Sequence, residues 1–171
     1  MNPQHNIPTM KDEDFVMNES RAIAGYIANA YDKTGKLYPT DPKVRARVDQ
    51  RMYFDMGVFY KAFGETVYPI MFGGESKIPD EKFDKLKEVL GWANDFVKET
   101  GYVAGTDHLT IADICFASTY GTILAADHMD KSAFTELNAW YEKISKEIPN
   151  FDKANEAGCK EFGDFYKSKA K

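Results

Sequence analysis

Between the pair Asp41-Pro42 and the pair Gly73-Gly74, the chain offers helix breakers only at Gly57, Gly64 and Pro69. A run of that length with helically spaced apolar residues commits the chain to a long helix, whose stability comes mostly from packing of its apolar faces on other elements. Asp41 is a good N-cap, and Pro42 suits the first helical position, where its missing N–H would have had no intrahelical partner. Tyr53, Met56, Tyr60 and Phe63 recur at helical spacing, with Tyr68 and Phe72 beyond, and Met52, Phe59 and Ala62 form a second stripe. Two apolar faces require two partners. One is the core of a helical bundle; the other is a pocket, a subunit interface or more core, and the phenol oxygens favour a partly wet surface. Pro69 is expected to kink the helix near its end.

The segments that follow also read as helices. One starts near Pro79 and runs to Gly101, with Phe83, Leu86, Val89, Leu90, Ala93 and Val97 inward. Another begins at Thr110. A third spans about Ala133 to Glu147, with Leu137, Trp140, Tyr141 and Ile144 inward, and one or two short helices fill the C-terminus. Thr110-Ile111-Ala112-Asp113 has the form of a capping box, with Leu109 and Ile114 placed as its staple, so Thr110 and Asp113 are assigned to folding rather than chemistry.

The front of the chain differs. Ile7–Lys11 and Phe15–Met17 are β-prone runs around the polar turn Asp12-Glu13-Asp14, which predicts a hairpin. Asn18 is the expected N-cap of a helix carrying Ala22, Ile23, Tyr26, Ile27 and Ala30 on one face. Residues 32–41, with Gly35 and Pro39, read as a linker. The fold class is therefore α+β, mostly α: residues 1–31, a linker at 32–41 and an all-helical domain over 42–171. A lone hairpin is marginal in water, so the front needs further strands or a partner to supply them.

Composition narrows the functions. The net charge is −5 with Lys and Arg dispersed, so no nucleic-acid partner is expected. No apolar run approaches the roughly 20 residues that span a bilayer, and residues 1–6 lack a signal core; a reducing cytoplasm is expected, with no membrane partner. Cys115 and Cys159 form no CxxC pair or zinc spacing. His108 and His128 lie near Asp107, Asp113, Asp127 and Asp130 but without ligand spacing, so no metal is expected. Motifs for hydrolase, P-loop and zincin chemistry are absent from the sequence.

Two short segments could carry binding. If the Ile7-Pro8 bond is cis, the backbone of Ile7 can face out of the sheet edge and pair with a bound peptide backbone; the alternative is a trans proline at a strand start with His5 an exposed loop residue. Glu19-Ser20-Arg21 opens a helix, where free N–H groups, the dipole, a hydroxyl and a guanidinium suit a carboxylate; the alternative is a solvated first turn.

Together the segments NPQHNIPTM, NESRAIAGYI, DPKVRARVDQRMYFDMGVFY and YVAGTDHLTIADI resemble soluble glutathione transferases, the insect delta class most closely, in order and spacing over nearly the whole chain. The resemblance implies a thioredoxin-like glutathione-binding half joined to an all-helical half, cytoplasmic and usually a homodimer, with glutathione as co-substrate. It implies that His5 contacts the glycine end of glutathione. It gives Ile7, before cis Pro8, the cysteinyl backbone; Glu19 and Ser20 the γ-glutamyl amine and carboxylate; and Arg21 a place beside them, with Asp55 in the same charged region. Tyr60, Phe63, Tyr68 and Phe72 resemble the aromatic wall for the hydrophobic electrophile. Asn6 departs from the threonine usual after that histidine.

The family's opening strand, helix and second strand, with the serine that activates the thiol, have no counterpart. A β-α-β unit needs about 30 residues, whereas four residues precede His5. No catalytic residue is therefore assigned. The resemblance implies a truncated, weakly active glutathione transferase used in detoxification, or a fragment of a longer one; the alternative is a non-catalytic helical module that binds apolar ligands or dimerises.

Overall fold

Two short strands and seven helices make up the described part of the chain, residues 2–170 of a computed structural model; Met1 and Lys171, the outer ends of the first and last expected segments, lie outside it. Strands β1 (Thr9–Asp12) and β2 (Phe15–Asn18) pair antiparallel with Asp12 opposite Phe15, a two-residue hairpin in which Glu13 takes a positive φ. Helix α1 (Ser20–Tyr31) follows at once. It lies against the hairpin through Phe15 on Tyr26, ring centroids 5.3 Å apart, and through hydrogen bonds that Tyr26 and Tyr31 both donate to Asp12 Oδ2 at 2.7 Å. Its buried residues are Ile23, Gly25 and Ala28. The expected stripe is only partly inward: Ala22, Ile27 and Ala30 face out, because the face they share has no element packed on it.

The connecting residues 32–41 are well tied. The Asp32 carboxylate accepts from the Thr34 and Leu37 N–H groups, and Leu37 in turn accepts from the Ile111 N–H. Arg45 stacks over Tyr38 and donates to the Pro39 carbonyl. Asp41 caps α2 (Pro42–Phe54) by accepting from the N–H groups of Lys43 and Val44.

The long helix is not uniform. A π-turn at Asp55–Phe59 separates α2 from α3 (Tyr60–Met71). Such a turn adds one residue to the winding and shifts the register of every face beyond it. Helix α3 runs through Pro69 and stops two residues later, at Met71. Helices α4 (Asp80–Lys98), α5 (Ile111–Ala126), α6 (Thr135–Glu147) and α7 (Ala157–Lys169) complete the bundle. The C-terminus is one helix of 13 residues led in by a π-turn at Asp152–Glu156, rather than a pair of short ones.

Helix α5 is central and apolar nearly all round, as a helix enclosed by neighbours must be. Its Phe116 stacks on Phe54 and meets Phe59 and Trp140, and Tyr120 donates to Asn138 on α6. Helix α7 lies close on α5; a Cβ on Gly163 would strike the Ala125 carbonyl oxygen, so the close approach requires glycine there. The capping box forms at the start of α5. Asp113 also accepts from the Val103 N–H at 2.9 Å and from Trp140 Nε1 at 3.2 Å, besides the N–H and hydroxyl of Thr110. Burial pushes the Asp113 carboxyl up in pKa, and these donors pull against it.

Candidate functional site

The segment before β1 is organised by amides. Asn2 donates to the Asn6 carbonyl and to Thr9, holding residues 2–9 in a tight loop in which His5 adopts a positive φ. The Ile7-Pro8 bond is cis. Ile7 is 93% exposed, and among the described residues neither its N–H nor its C=O is bonded within the chain.

Asn18 does not cap α1 as expected. Its amide donates instead to Gln4 Oε1 at 2.6 Å and to Asn6 Oδ1 at 3.1 Å. The N-cap is Glu19, with φ 73° and ψ 103° and no side-chain cap bond. A non-glycine residue there costs roughly 1–3 kcal/mol. Asn18 thus ties the loop carrying His5 and Ile7 to the residue just before the helix. The first intrahelical bond runs from the Ile23 N–H to the Glu19 carbonyl, so the N–H groups of Ser20, Arg21 and Ala22 have no intrahelical acceptor. With the positive end of the helix dipole they favour an anion beside Ser20.

Arg21 points back into the protein. It donates through Nε and Nη2 to Asp55 Oδ2, with Nε at 2.9 Å; through Nη2 to Thr119 Oγ1 at 3.3 Å; and through Nη1 to Ser20 Oγ at 2.8 Å. One side chain therefore joins α1 to the π-turn and to α5, and fixes the Ser20 hydroxyl. The Asp55 side chain is fully buried and its Oδ1 has no partner. Burial pushes the Asp55 carboxyl up, while Arg21 and Thr119 oppose that; for Arg21, Asp55 outweighs the cost of burial and raises its pKa. The guanidinium's charge is largely matched internally, so Arg21 orients its neighbours rather than offering a free cation.

Directly beyond Asp55, Met56, Gly57, Tyr60, Lys61, Gly64, Glu65, Tyr68 and Pro69 line a mostly apolar cavity of about 580 Å³. The hydroxyls of Tyr60 and Tyr68 are hydrogen-bonded and their rings meet edge to face. A Cβ on Gly64 would sit 2.9 Å from the Tyr68 ring, so glycine leaves room for that ring to lie along α3.

The expected wall is corrected at two positions. Phe63 is fully buried, packed on Phe162 and His128, because the cavity face of α3 follows Tyr60, Gly64 and Tyr68 while Phe63 shares the adjacent inward face with Val67. Phe72 is 70% exposed and lines a neighbouring hollow of about 570 Å³ with Met71 and Ser168, touching the first cavity only through Tyr68. The cysteines supply no alternative nucleophile, since burial pushes the Cys115 thiol up to about 12 and the Cys159 thiol upward as well. Among the described residues no group of three His, Cys, Asp or Glu could hold a metal ion.

Residues 56–147 match the family model of the glutathione S-transferase C-terminal domain. A delta-class glutathione transferase of Nilaparvata lugens is 44% identical, with a TM-score of 0.95, over 99% of this chain and 78% of its own. An unclassified glutathione S-transferase of Bombyx mori is 38% identical, with a TM-score of 0.92, over 99% and 77%. A glutathione transferase homolog of Drosophila mojavensis, solved with bound glutathione, is 34% identical, with a TM-score of 0.88, over 99% and 76%.

The chain belongs to the glutathione S-transferase family. Its mostly helical α+β architecture, with a small two-stranded sheet before the bundle, is that of a glutathione transferase carrying a remnant of the thioredoxin-like half. Among the described residues no helix is long and apolar enough to cross a membrane. Sequence reasoning missed three features of the site. Thr119 is one of several small polar residues on α5, and only tertiary packing places it at Arg21. Phe162 and Phe165 bring the last helix against Phe63, Tyr68 and Phe72; their helical spacing with Cys159 and Tyr166 was a readable signal. Asn18 was read only as a cap, and its bridge to Gln4 and Asn6 appears once the hairpin is folded.

Proposed function

We propose that this chain holds glutathione along residues 5–21 and presents the thiol to a hydrophobic electrophile at the Tyr60–Tyr68 cavity. The supporting observation is the juxtaposition built by Asn18: an exposed, unbonded Ile7 backbone on one side and the open N-terminus of α1 on the other. In this reading Ile7, ahead of cis Pro8, pairs with the cysteinyl backbone, and His5 meets the glycine carboxylate. Ser20 and its N–H take the γ-glutamyl carboxylate, and Glu19 takes the amine. Arg21 and Asp55 hold Ser20 in place. Tyr60, Tyr68 and, at the margin, Phe72 accept the electrophile; Phe63 supports them from the core.

The reaction is attack of the glutathione sulfur on an electrophilic carbon, with the thiol proton lost and a leaving group displaced or a bond opened. A free thiol near pKa 8.5 is only a few per cent thiolate at neutral pH. The reading includes residues 1–31 as a partial binding segment, 32–41 as connector and 42–171 as the helical domain. It also includes a cytoplasmic homodimer with a detoxifying role, and no thiol-activating serine in this chain. A preorganised donor of the oxyanion-hole kind is worth roughly 10²–10³ in rate, and by that measure turnover without the serine is expected to be low.

Calorimetric titration with glutathione, paired with conjugation of a chloro-dinitroarene, tests this. Glutathione is expected to bind, Ser20→Ala to weaken binding by about tenfold, a loss of the size of one charge-assisted hydrogen bond, and conjugation to run only slightly above the uncatalysed rate. Absence of glutathione binding in the folded chain rejects the proposal.

A further inference from the structure

A cavity of about 670 Å³ lies between α5, α6 and α7, and the glutathione reading makes no use of it. Leu124 and Ala125 of α5 give it an apolar wall. One end is built around Gly121. A Cβ there would lie 2.5 Å from the Tyr141 hydroxyl and 3.0 Å from both Asn155 Nδ2 and Cys159 Sγ, so glycine lets three polar groups converge on the helix. The Tyr141 oxygen accepts from Asn155 Nδ2 at 3.4 Å, while its own O–H has no acceptor among the described residues. Burial, then the neighbouring Cys159 and Glu156, push the Tyr141 phenol up in pKa, so it keeps its proton and stands as a donor. Asn155 and Glu156 belong to the π-turn Asp152–Glu156, a winding found often at functional positions. Glu156 lines the cavity and enters no ion pair among the described residues.

The other end is cationic. Lys131 Nζ donates to Asp127 Oδ1 at 3.0 Å and to the Met129 carbonyl at 2.8 Å; its side chain is only 12% exposed, and its third N–H has no acceptor among the described residues. Lys131 first, and Lys167 with it, lower the Asp127 carboxyl in pKa; Lys160 first, and then Lys167, lower that of Asp164. Asp127 is bonded to Lys131 and Asp164 to Lys160 at 2.6 Å, so Lys167 is left as a surplus cation. The cavity is therefore polarised along its length, with a donor and a lone carboxylate near Gly121 and an excess positive charge near Asp127. At the helical rise of roughly 1.5 Å per residue these ends lie about 9 Å apart. A hollow of this size with an apolar wall and a few convergent polar groups suits a small molecule.

We propose that this cavity is a second ligand site, separate from the candidate glutathione site, for a para-hydroxyaryl carboxylic acid. The carboxylate meets Lys131 and Lys167, and the ring lies on Leu124 and Ala125. The hydroxyl accepts from Tyr141 and donates to Glu156, which a group that is both donor and acceptor can do at once. The binding is non-covalent, and the inference stands on this cavity alone, not on the glutathione reading.

The probe is 4-hydroxycinnamate, titrated into the full 171-residue chain by calorimetry beside its methyl ester and unsubstituted cinnamate. The acid is expected to bind one-to-one with a Kd on the order of 100 µM, as suits a ligand of its size. The ester and cinnamate, each lacking one polar end, are expected to bind roughly fivefold to tenfold more weakly. Lys167→Glu should weaken the acid by about tenfold, since it reverses a charge, and leave the ester unchanged. Tyr141→Phe should weaken the acid by about fivefold and leave cinnamate unchanged.

Circular dichroism checks that each variant is folded; Lys167 is exposed, so its variant carries the test if Tyr141→Phe loses its fold. No heat at millimolar ligand overturns the proposal, as does equal affinity for acid and ester, or binding indifferent to Lys167→Glu. Binding lost in Tyr68→Ala but kept in Lys167→Glu also overturns it, by giving the ligand to the electrophile cavity. Saturating glutathione is expected to leave the affinity of the acid unchanged, and displacement by glutathione overturns the claim of a separate site. Glutathione titration alone tests the proposed function, so the two readings fail independently.

Discussion

The hairpin–α1 unit and the helical bundle are held together by different physics. In the bundle, Phe59, Phe63, Phe116 and Tyr120 are fully enclosed, and α5 is packed from several sides. In the front unit, β1 and β2 contain no fully buried residue, and α1 buries only Ile23, Gly25 and Ala28. Its order comes from polar devices: the amide network of Asn2 and Asn18, the tyrosine bonds to Asp12, and Arg21 reaching Asp55. Apolar burial scales with area and tolerates small errors, whereas polar clamps are directional and fail when one partner is lost. The front unit therefore rests on fewer buried contacts, and it also carries the exposed backbone groups of the proposed glutathione site.

The largest effect is expected from the bundle side of this contrast. Phe116→Ala should cost about 4 kcal/mol, as truncation of a buried aromatic does, and lower the single melting transition of the bundle. Next is the one strong link between the two regions. Arg21→Ala leaves the Asp55 carboxylate buried without its counter-charge and should cost about 3 kcal/mol. Hydrogen exchange should show protection lost first in residues 9–31. An Asp55→Asn, Arg21→Met double variant should recover part of that loss, which would separate the stranded charge from the missing contact.

A third prediction concerns pH, and it belongs to the bundle. The Thr66 hydroxyl donates to the Phe63 carbonyl at 2.7 Å and meets His128 Nε2 at 2.8 Å, so Nε2 carries the proton and Nδ1 is left as a buried acceptor without a partner. The rings of Phe63, Phe83 and Tyr166 surround the imidazole. Burial, helped by Lys131 and opposed by Asp127, pushes its pKa down to about 4. The unfolded chain takes up this proton near pH 6.5, before the folded chain does. The stabilisation is thus complete above pH 6.5 and drains away as pH falls towards 4, by about 2 kcal/mol once partial solvent exposure is allowed for. Denaturant midpoints should follow that course, and His128→Phe should flatten it. The smallest global effect is expected from Asp12→Ala: the bundle's melting should not change, while exchange in β1 and β2 accelerates.

Much of the bundle was legible beforehand because its signals are local. Asp41-Pro42 started α2 as read, and Thr110 with Asp113 formed the capping box at the head of α5. The inward residues of α4 from Leu86 to Val97 followed the helical period. Within the candidate site, the cis Ile7-Pro8 bond was implied by the family resemblance, where the residues alone left trans open, and the helix opens one residue after the position that a cap at Asn18 implies. The misreadings share one cause. Phe63 left the cavity because α3 has two neighbouring apolar stripes, Tyr60–Gly64–Tyr68 and Phe63–Val67, and only packing against Phe162 and His128 decides which one turns inward. Asn18 abandoned the cap because Gln4 and Asn6 came within reach only after the hairpin closed. Ile27 stayed exposed because periodicity states that a face is apolar and not whether anything covers it.

What this sequence settles by itself is the list of elements, their caps and the apolar character of each face, since these depend on neighbours a few residues apart. The tertiary structure alone decided that Arg21 would spend its charge on Asp55, that Thr119, Phe162 and Phe165 would join the site, and which aromatic rings face a cavity. Those outcomes depend on the relative placement of helices far apart in sequence, and a single added residue in one turn is enough to change them.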